Sequence, residues 1–179
     1  SVYFVDRKQK VALVQRLLER GTMGRTLIFT RTKYGADRLV RLLGRAGLES
    51  NAIHGNKKQG ARTRALDAFY SGRTPVLVAT DIASRGIDVA EVTHVINYEI
   101  PSEAEAYVHR VGRTARAGAS GVAIALCDRE EVANLRGIEA VIGRSIEVAL
   151  DAPDLTSDAP ARSTATRKPS RSRGSGRPS

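Results

Sequence analysis

Short, wholly apolar runs separated by segments of helical periodicity constrain this chain more than any other feature. Leu27-Ile28-Phe29 and Val76-Leu77-Val78-Ala79 carry no polar residue at any position. A strand of that kind must be covered on both faces, the condition of a parallel sheet held between two helical layers. Further strands are expected at Val2–Val5, Ser50–His54, His94–Tyr98 and Gly121–Cys127, with a last one at Ile146–Val148. Between them lie helix signals. Asp6 opens the first as its N-cap, with Val11, Val14, Leu17 and Leu18 on one face and Gly21 as the stop. Ala36, Leu39, Val40 and Leu43 mark the second, and Ala61, Ala65, Ala68 and Phe69 mark a third within Lys57–Tyr70. Ser102–Val111, capped by Ser102, and Arg129–Ile142, stopped by Gly143, complete the set. Strand and helix alternate with short connections, so residues 1–150 are expected to form one three-layer α/β domain with a mostly parallel central sheet.

Charge narrows the class of partner. The chain carries a net +10. Residues 151–179 hold six Lys/Arg against three Asp, a net +3, which leaves +7 in the body. Basicity in the folded part as well as the tail points to a polyanion such as nucleic acid. Residues 159–179 combine Ser, Arg, Pro, Gly, Thr and Ala with no large apolar side chain. Such a segment cannot offset its ordering entropy by burial, so 151–179 reads as a disordered basic tail. Cys127 is the sole cysteine and sits in an apolar run, which excludes an internal disulfide and suggests a small core residue. The three histidines are scattered, and no metal site is expected. No apolar run approaches the ~20 residues that span a membrane, and no signal-peptide pattern opens the chain. A cytoplasmic, reducing compartment is the expectation.

In an open parallel sheet, ligands bind beyond the carboxyl ends of the strands. Three polar clusters fall there: Thr30-Arg31-Thr32-Lys33, His54-Gly55-Asn56 and Thr80-Asp81. Short hydroxyls, a glycine and helix N-termini on one edge suit a phosphate backbone. Gln59 and Arg62 lie one turn apart at the start of a helix. Arg85 and Asp88 follow a buried strand at i, i+3; they suit a phosphate and a ribose hydroxyl, or an ion pair with each other. His109 to Gly118 packs one histidine and three arginines into ten residues. If the helix continues, His109, Arg113 and Arg116 share a face while Arg110 points elsewhere. Guanidinium forks match phosphate oxygens bidentately.

These residues carry a resemblance. VLVATDIASRGIDV at 76–89 and HRVGRTARAG at 109–118 resemble motifs V and VI of the DEAD-box RNA helicases. LIFTRTK at 27–33 resembles motif IV, and Gln59–Arg62 resembles the family's QxxR element. The order and spacing are similar to those of the second, C-terminal RecA-like domain across residues 1–150. Ala115 stands where the family often has glycine, and Tyr34 where a basic residue is common. The 179 residues contain no GxxxxGK[ST] phosphate loop and no DEAD tetrapeptide.

The resemblance implies roles. Arg113 and Arg116 would meet the γ-phosphate of ATP, one of them as arginine finger, with Asp88 on the ribose. His109 would couple to the acidic motif of an N-terminal RecA-like domain, which would hold most of the ATP and its Mg2+. Thr32, Gly55, Gln59, Arg62, Thr80 and Arg85 would line the RNA backbone. Arg110 would bond within the domain or to the motif V loop. Few aromatic residues, three Phe and five Tyr with no Trp, fit sugar–phosphate recognition without sequence specificity. The implied function is the C-terminal half of an ATP-dependent RNA helicase, with ATP turnover uncertain for this chain alone. Two other readings stand beside it: a non-catalytic RNA-binding module or helicase remnant, and part of a DNA-directed superfamily 2 helicase.

Overall fold

The computed structural model describes residues 1–84, 92–114 and 121–150. Six strands form one sheet: β1 (Val2–Phe4), β2 (Thr26–Phe29), β3 (Ser50–Ile53), β4 (Val76–Ala79), β5 (His94–Asn97) and β6 (Val122–Cys127). Their order is β1-β6-β5-β2-β4-β3, and every pairing is parallel. The two apolar runs are the neighbouring interior strands β2 and β4, and all four residues of each are buried.

Six helices flank the sheet: α1 (Lys10–Glu19), α2 (Lys33–Arg45), α3 (Gln59–Tyr70), the single turn α4 (Asp81–Ser84), α5 (Ala104–Val111) and α6 (Val132–Ile142). Strand residues alternate between faces, and the core divides accordingly. Ile28, Val78, Ile96 and Leu126 pack under α1 and α2 against Leu13, Val14, Leu17, Leu39 and Leu43. Leu27, Phe29, Leu77 and Val95 face the other way, under Ala65 and Phe69 of α3. Ala125, Cys127 and Ile100 continue that second layer beneath Tyr107 of α5 and Leu135 and Ile138 of α6. This is the three-layer arrangement that the alternation predicts.

The boundaries differ in three places. Asp6 precedes a 3-10 turn, Arg7–Gln9, without a side-chain capping bond, and α1 starts only at Lys10. Gly21 does adopt the left-handed φ of +67° that ends a helix, one residue past the cap at Arg20. Ser102 does not cap α5; Ile100 and Pro101 are buried against the sheet, the chain stays extended to Glu103, and the helix begins at Ala104. Ile146–Val148 forms no strand among the described residues, only a bridge from Val148 to Val2 flanked by Val2 N–H to Glu147 O at 2.7 Å.

One buried polar cluster lies outside the sequence expectations. Lys10, 1 % exposed, donates to Tyr98 O at 3.0 Å, to Leu126 O at 3.1 Å and to the Glu131 carboxylate, and lies 3.4 Å from Asp128 Oδ2. Glu131 also accepts from the backbone N–H of Asp128 and of Ile100, both at 3.1 Å, and from Arg31 at 3.4 Å. Two cations meet two carboxylates, and each buried charge is paired, the condition under which such groups are tolerated. The Asp128–Glu131 capping box opens the turn before α6. The cluster ties α1 and α6 to the loops leaving β5, β6 and β2.

Phe69 is fully buried between α3 and the sheet, whereas Phe4 is 55 % exposed. Phe69→Ala should lower unfolding free energy by about 3–5 kcal/mol. Phe4→Ala should shift it by less than about 1 kcal/mol, both read from urea denaturation midpoints.

Candidate functional site

Because every strand is parallel, the residues after β5, β2, β4 and β3 all emerge on one edge. Phe29 is in register with both Ala79 and Asn97, and Ala79 with Ile53. The three polar clusters therefore stand side by side, in the order Thr30–Lys33, Thr80–Asp81, His54–Asn56. Thr32 caps α2 by accepting from Gly35 N–H at 3.0 Å. Lys58 and Gln59 begin α3, and Asp81 begins α4. The amide groups at these helix starts give the edge a positive field suited to anions.

Gly55 is exposed, and a Cβ there would meet nothing within 4 Å, so its backbone is open to close approach. Gln59 is exposed at the first turn of α3. Arg62, half-buried, reaches from α3 to Ala83 O at 3.4 Å, and its Nε has no partner among the described residues. Thr80 is half-buried, and its carbonyl accepts from Ala83 and Ser84 N–H at the start of α4. Thus Thr32, Gly55, Gln59, Arg62 and Thr80 are brought to one edge. Arg85, Asp88 and Arg116 lie outside the described residues.

Arg110 organises the other side of this edge. Its guanidinium, 2 % exposed, makes a bidentate pair with Asp81: Nε to Oδ1 at 2.6 Å and Nη2 to Oδ2 at 2.7 Å. Nη1 donates to Asn97 Oδ1 at 3.1 Å and to Glu99 O at 2.9 Å, and the group lies 5.1 Å from the Phe29 ring centroid. A side chain on α5 therefore binds the ends of β4, β5 and β2 together. This is the bonding to the motif V region that the sequence suggested for Arg110.

The helix does not continue through the arginine cluster. α5 ends at Val111, Gly112 is its C-cap, and the Thr114 hydroxyl donates to Val92 O at 2.8 Å and to Thr93 O at 3.2 Å. These two carbonyls draw the chain away from the helix axis, so Arg113 sits half-buried in a turn rather than on the face of His109. His109 is exposed on the last turn of α5. Arg110 holds Asp81 and Thr114 holds Val92, so both ends of the 81–92 stretch are fastened to 110–114. Sequence reasoning missed Thr114, whose partners lie more than 20 residues away and leave no periodic trace.

Asp37 on α2 accepts from His54 Nε2 at 3.0 Å and pairs with Lys57 at 2.9 Å, joining α2 to the loop after β3. Burial pushes its carboxyl up, but the hydrogen bonds and charges of Lys57 and His54 together outweigh this and hold it below the usual value. Among the described residues, no group of three His, Cys, Asp or Glu converges to hold a metal ion.

Comparison with known proteins follows the same edge. Residues 9–118 match the family described as helicase conserved C-terminal domain. The chain is 43 % identical over 142 residues to the ATP-dependent RNA helicase DBP2 of Ajellomyces capsulatus, covering 79 % of this chain and 26 % of that protein. It is 43 % identical over 137 residues to DBP2 of Chaetomium thermophilum, covering 76 % and 25 %. The chain thus spans about a quarter of the length of the curated relatives it matches. Among solved structures, the E. coli DEAD-box protein SrmB, bound to regulator of ribonuclease activity A, superposes with a TM-score of 0.80 at 36 % identity, covering 83 % of this chain and 88 % of that one. S. cerevisiae Dbp5 bound to RNA and ADP BeF3 gives 0.76 at 33 % identity, covering 83 % and 40 %.

Two outcomes follow from the geometry. Asp81→Ala strands a buried guanidinium and should cost about 3 kcal/mol, the lower end for a broken buried pair because Asp81 itself is 42 % exposed to water. Arg110→Met leaves Asp81 to hydrate and only Asn97 and Glu99 acceptors unpaired, so it should cost less, about 1–2 kcal/mol in the same urea titration. For Asp37, a depressed folded-state pKa means that stabilisation is present above the unfolded value and lost as pH falls through the folded one. The stability gap between wild type and Asp37→Asn should be open at neutral pH and close in acid well below pH ~4.

Proposed function

The chain belongs to the helicase conserved C-terminal domain family, as the C-terminal RecA-like domain of a DEAD-box RNA helicase, and from that premise we propose how its edge works. It supplies one wall of an interdomain cleft in which ATP and RNA are bound together. The observation that carries this reading is the double fastening of 81–92 to 110–114 by Arg110–Asp81 and Thr114–Val92. The start of the segment that carries the RNA contacts and the start of the one that carries the nucleotide contacts are thereby tied to each other.

On the RNA side, Thr32, Gly55, Gln59, Arg62, Thr80 and Arg85 contact sugar and phosphate. Open backbone at Gly55 and the unpartnered Arg62 Nε support phosphate contact. The strand is read without sequence preference, since no aromatic platform lies among these residues. On the nucleotide side, Arg113 and Arg116 neutralise charge that develops on the γ-phosphate, one as arginine finger, and Asp88 accepts from the ribose. His109, exposed on the last turn of α5, bonds across the cleft to the N-terminal domain.

ATP with Mg2+ is substrate for the pair of domains. By family resemblance, Mg2+ and most of the nucleotide would be held by an N-terminal RecA-like domain, and this chain would add the arginines that meet the terminal phosphate. Closure of the two domains brings the arginines onto the phosphate while the bound strand bends, and a short duplex opens. A reduced, buried Cys127 and the absence, among the described residues, of a helix long and apolar enough to cross a membrane fit a cytoplasmic setting.

Arg113→Ala in a two-domain enzyme reconstituted with a first RecA-like domain should lower ATP turnover by roughly 10³-fold or more while leaving RNA affinity within about twofold. This chain alone, with RNA and ATP, should release no phosphate in a malachite-green assay. Full turnover by the Arg113→Ala enzyme, or by the isolated chain, would refute the assignment.

A further inference from the structure

The outer face of α2 carries a feature that the family motifs do not use. Arg38, Arg41 and Arg45 lie at i, i+3 and i+7, one stripe along the helix. All three are exposed, and none forms a hydrogen bond or ion pair among the described residues. Asp37, the helix's own acid, is turned to the other flank and engaged by His54 and Lys57. Like charges at these spacings repel, and no carboxylate pairs with them among the described residues.

The stripe is continuous with the edge. Arg38 lines a cleft of about 510 Å³ beside α1 and α2, and Thr32, from the row of edge residues, lines the same cleft together with Arg31 and Lys8; the acids that also line it include Asp128 and Glu131, engaged by Lys10, and Glu130, paired with Arg7. Lys8 is likewise exposed and unpaired among the described residues. From Arg38 to Arg45 the helix advances about 10 Å, the length over which one nucleic-acid strand carries roughly three phosphates.

We propose that Arg38, Arg41 and Arg45 form a second phosphate track, which takes the backbone of an RNA strand as it leaves the sheet edge past Thr32. The track rests on the reading of that edge as an RNA site and extends it by one helix face. It makes affinity depend on RNA length: a short oligomer fills the edge alone, and a longer one also neutralises the three arginines. Contact is by charge and guanidinium hydrogen bonds to phosphate, so it adds affinity without base preference.

The test uses the whole 179-residue chain and fluorescence anisotropy across a salt series. The probes are labelled oligouridylates of about 6 and about 20 nucleotides, lengths that bracket a single binding groove. In R38Q/R41Q/R45Q the salt slope for the longer RNA should become shallower by about 2, since each single-strand phosphate contact contributes about 0.7. The slope for the short RNA should not change. Neutralising three exposed arginines elsewhere, in R129Q/R136Q/R144Q, should leave both slopes as they are. An unchanged long-RNA slope in the stripe variant, or an equal loss with the short RNA or with the control variant, would overturn the track and leave α2 with a merely solvated basic face. If the short RNA fails to bind wild type while the long one still depends on the stripe, the track stands and the reading of the edge falls.

Discussion

A guanidinium held out of water has to find an acceptor for nearly all of its N–H groups, and Arg110 is the residue on which that requirement falls. Its acceptors come from three places, the Asp81 carboxylate at the start of α4, the Asn97 amide at the end of β5 and the Glu99 carbonyl just beyond it, and the Phe29 ring adds a cation–π contact. None of these could move by much without leaving a charged donor unpaired in the interior, a cost of several kcal/mol. The edge of the sheet is therefore set by a single side chain from a helix that contributes little to the apolar core. A lysine could not replace it, because a point charge cannot bind a carboxylate through two parallel bonds and an amide through a third direction.

The Lys10–Glu131–Asp128 cluster plays a related part on the opposite half of the same edge. Arg110 gathers β4, β5 and β2; Glu131 gathers the exits of β6, β5 and β2 through Asp128, Ile100 and Arg31. The two clusters share the loop after β5, where Glu99 meets Arg31 N–H and Ile100 meets Glu131. Buried charges that are paired in this way favour one arrangement and resist compromise. Here they lie along the carboxyl edge of the sheet, and the apolar layers remain free of charge.

How much of this was readable beforehand depended on whether the cause was local. β2 and β4 were legible because a four-residue apolar run has few other uses, and the parallel sheet followed from their burial on both faces. The common edge was legible too, since topology alone puts Thr32, Thr80 and Gly55 together. The end of α5 was not. Helical spacing through His109, Arg113 and Arg116 looked regular, and the chain left the axis because Thr114 bonds to Val92 and Thr93, an event decided in another segment. Lys10 shows the opposite failure. It falls on the buried stripe with Val14 and Leu17, where periodicity calls for an apolar residue, and that mismatch was a signal that a buried acid had to exist. The D-x-x-E pattern at Asp128–Glu131 was the matching half of it.

Cys127 closes the last strand facing the α6 layer, and burial pushes its thiol up to about 11. At neutral pH it is almost entirely protonated and sheltered, hence inert to thiol reagents. The chain contains no other cysteine. One cysteine introduced on the surface would therefore be the single site that takes a maleimide dye or spin label, with the native residue left in the core. Surface positions of this chain are open to spectroscopic labelling without first dismantling part of the sheet.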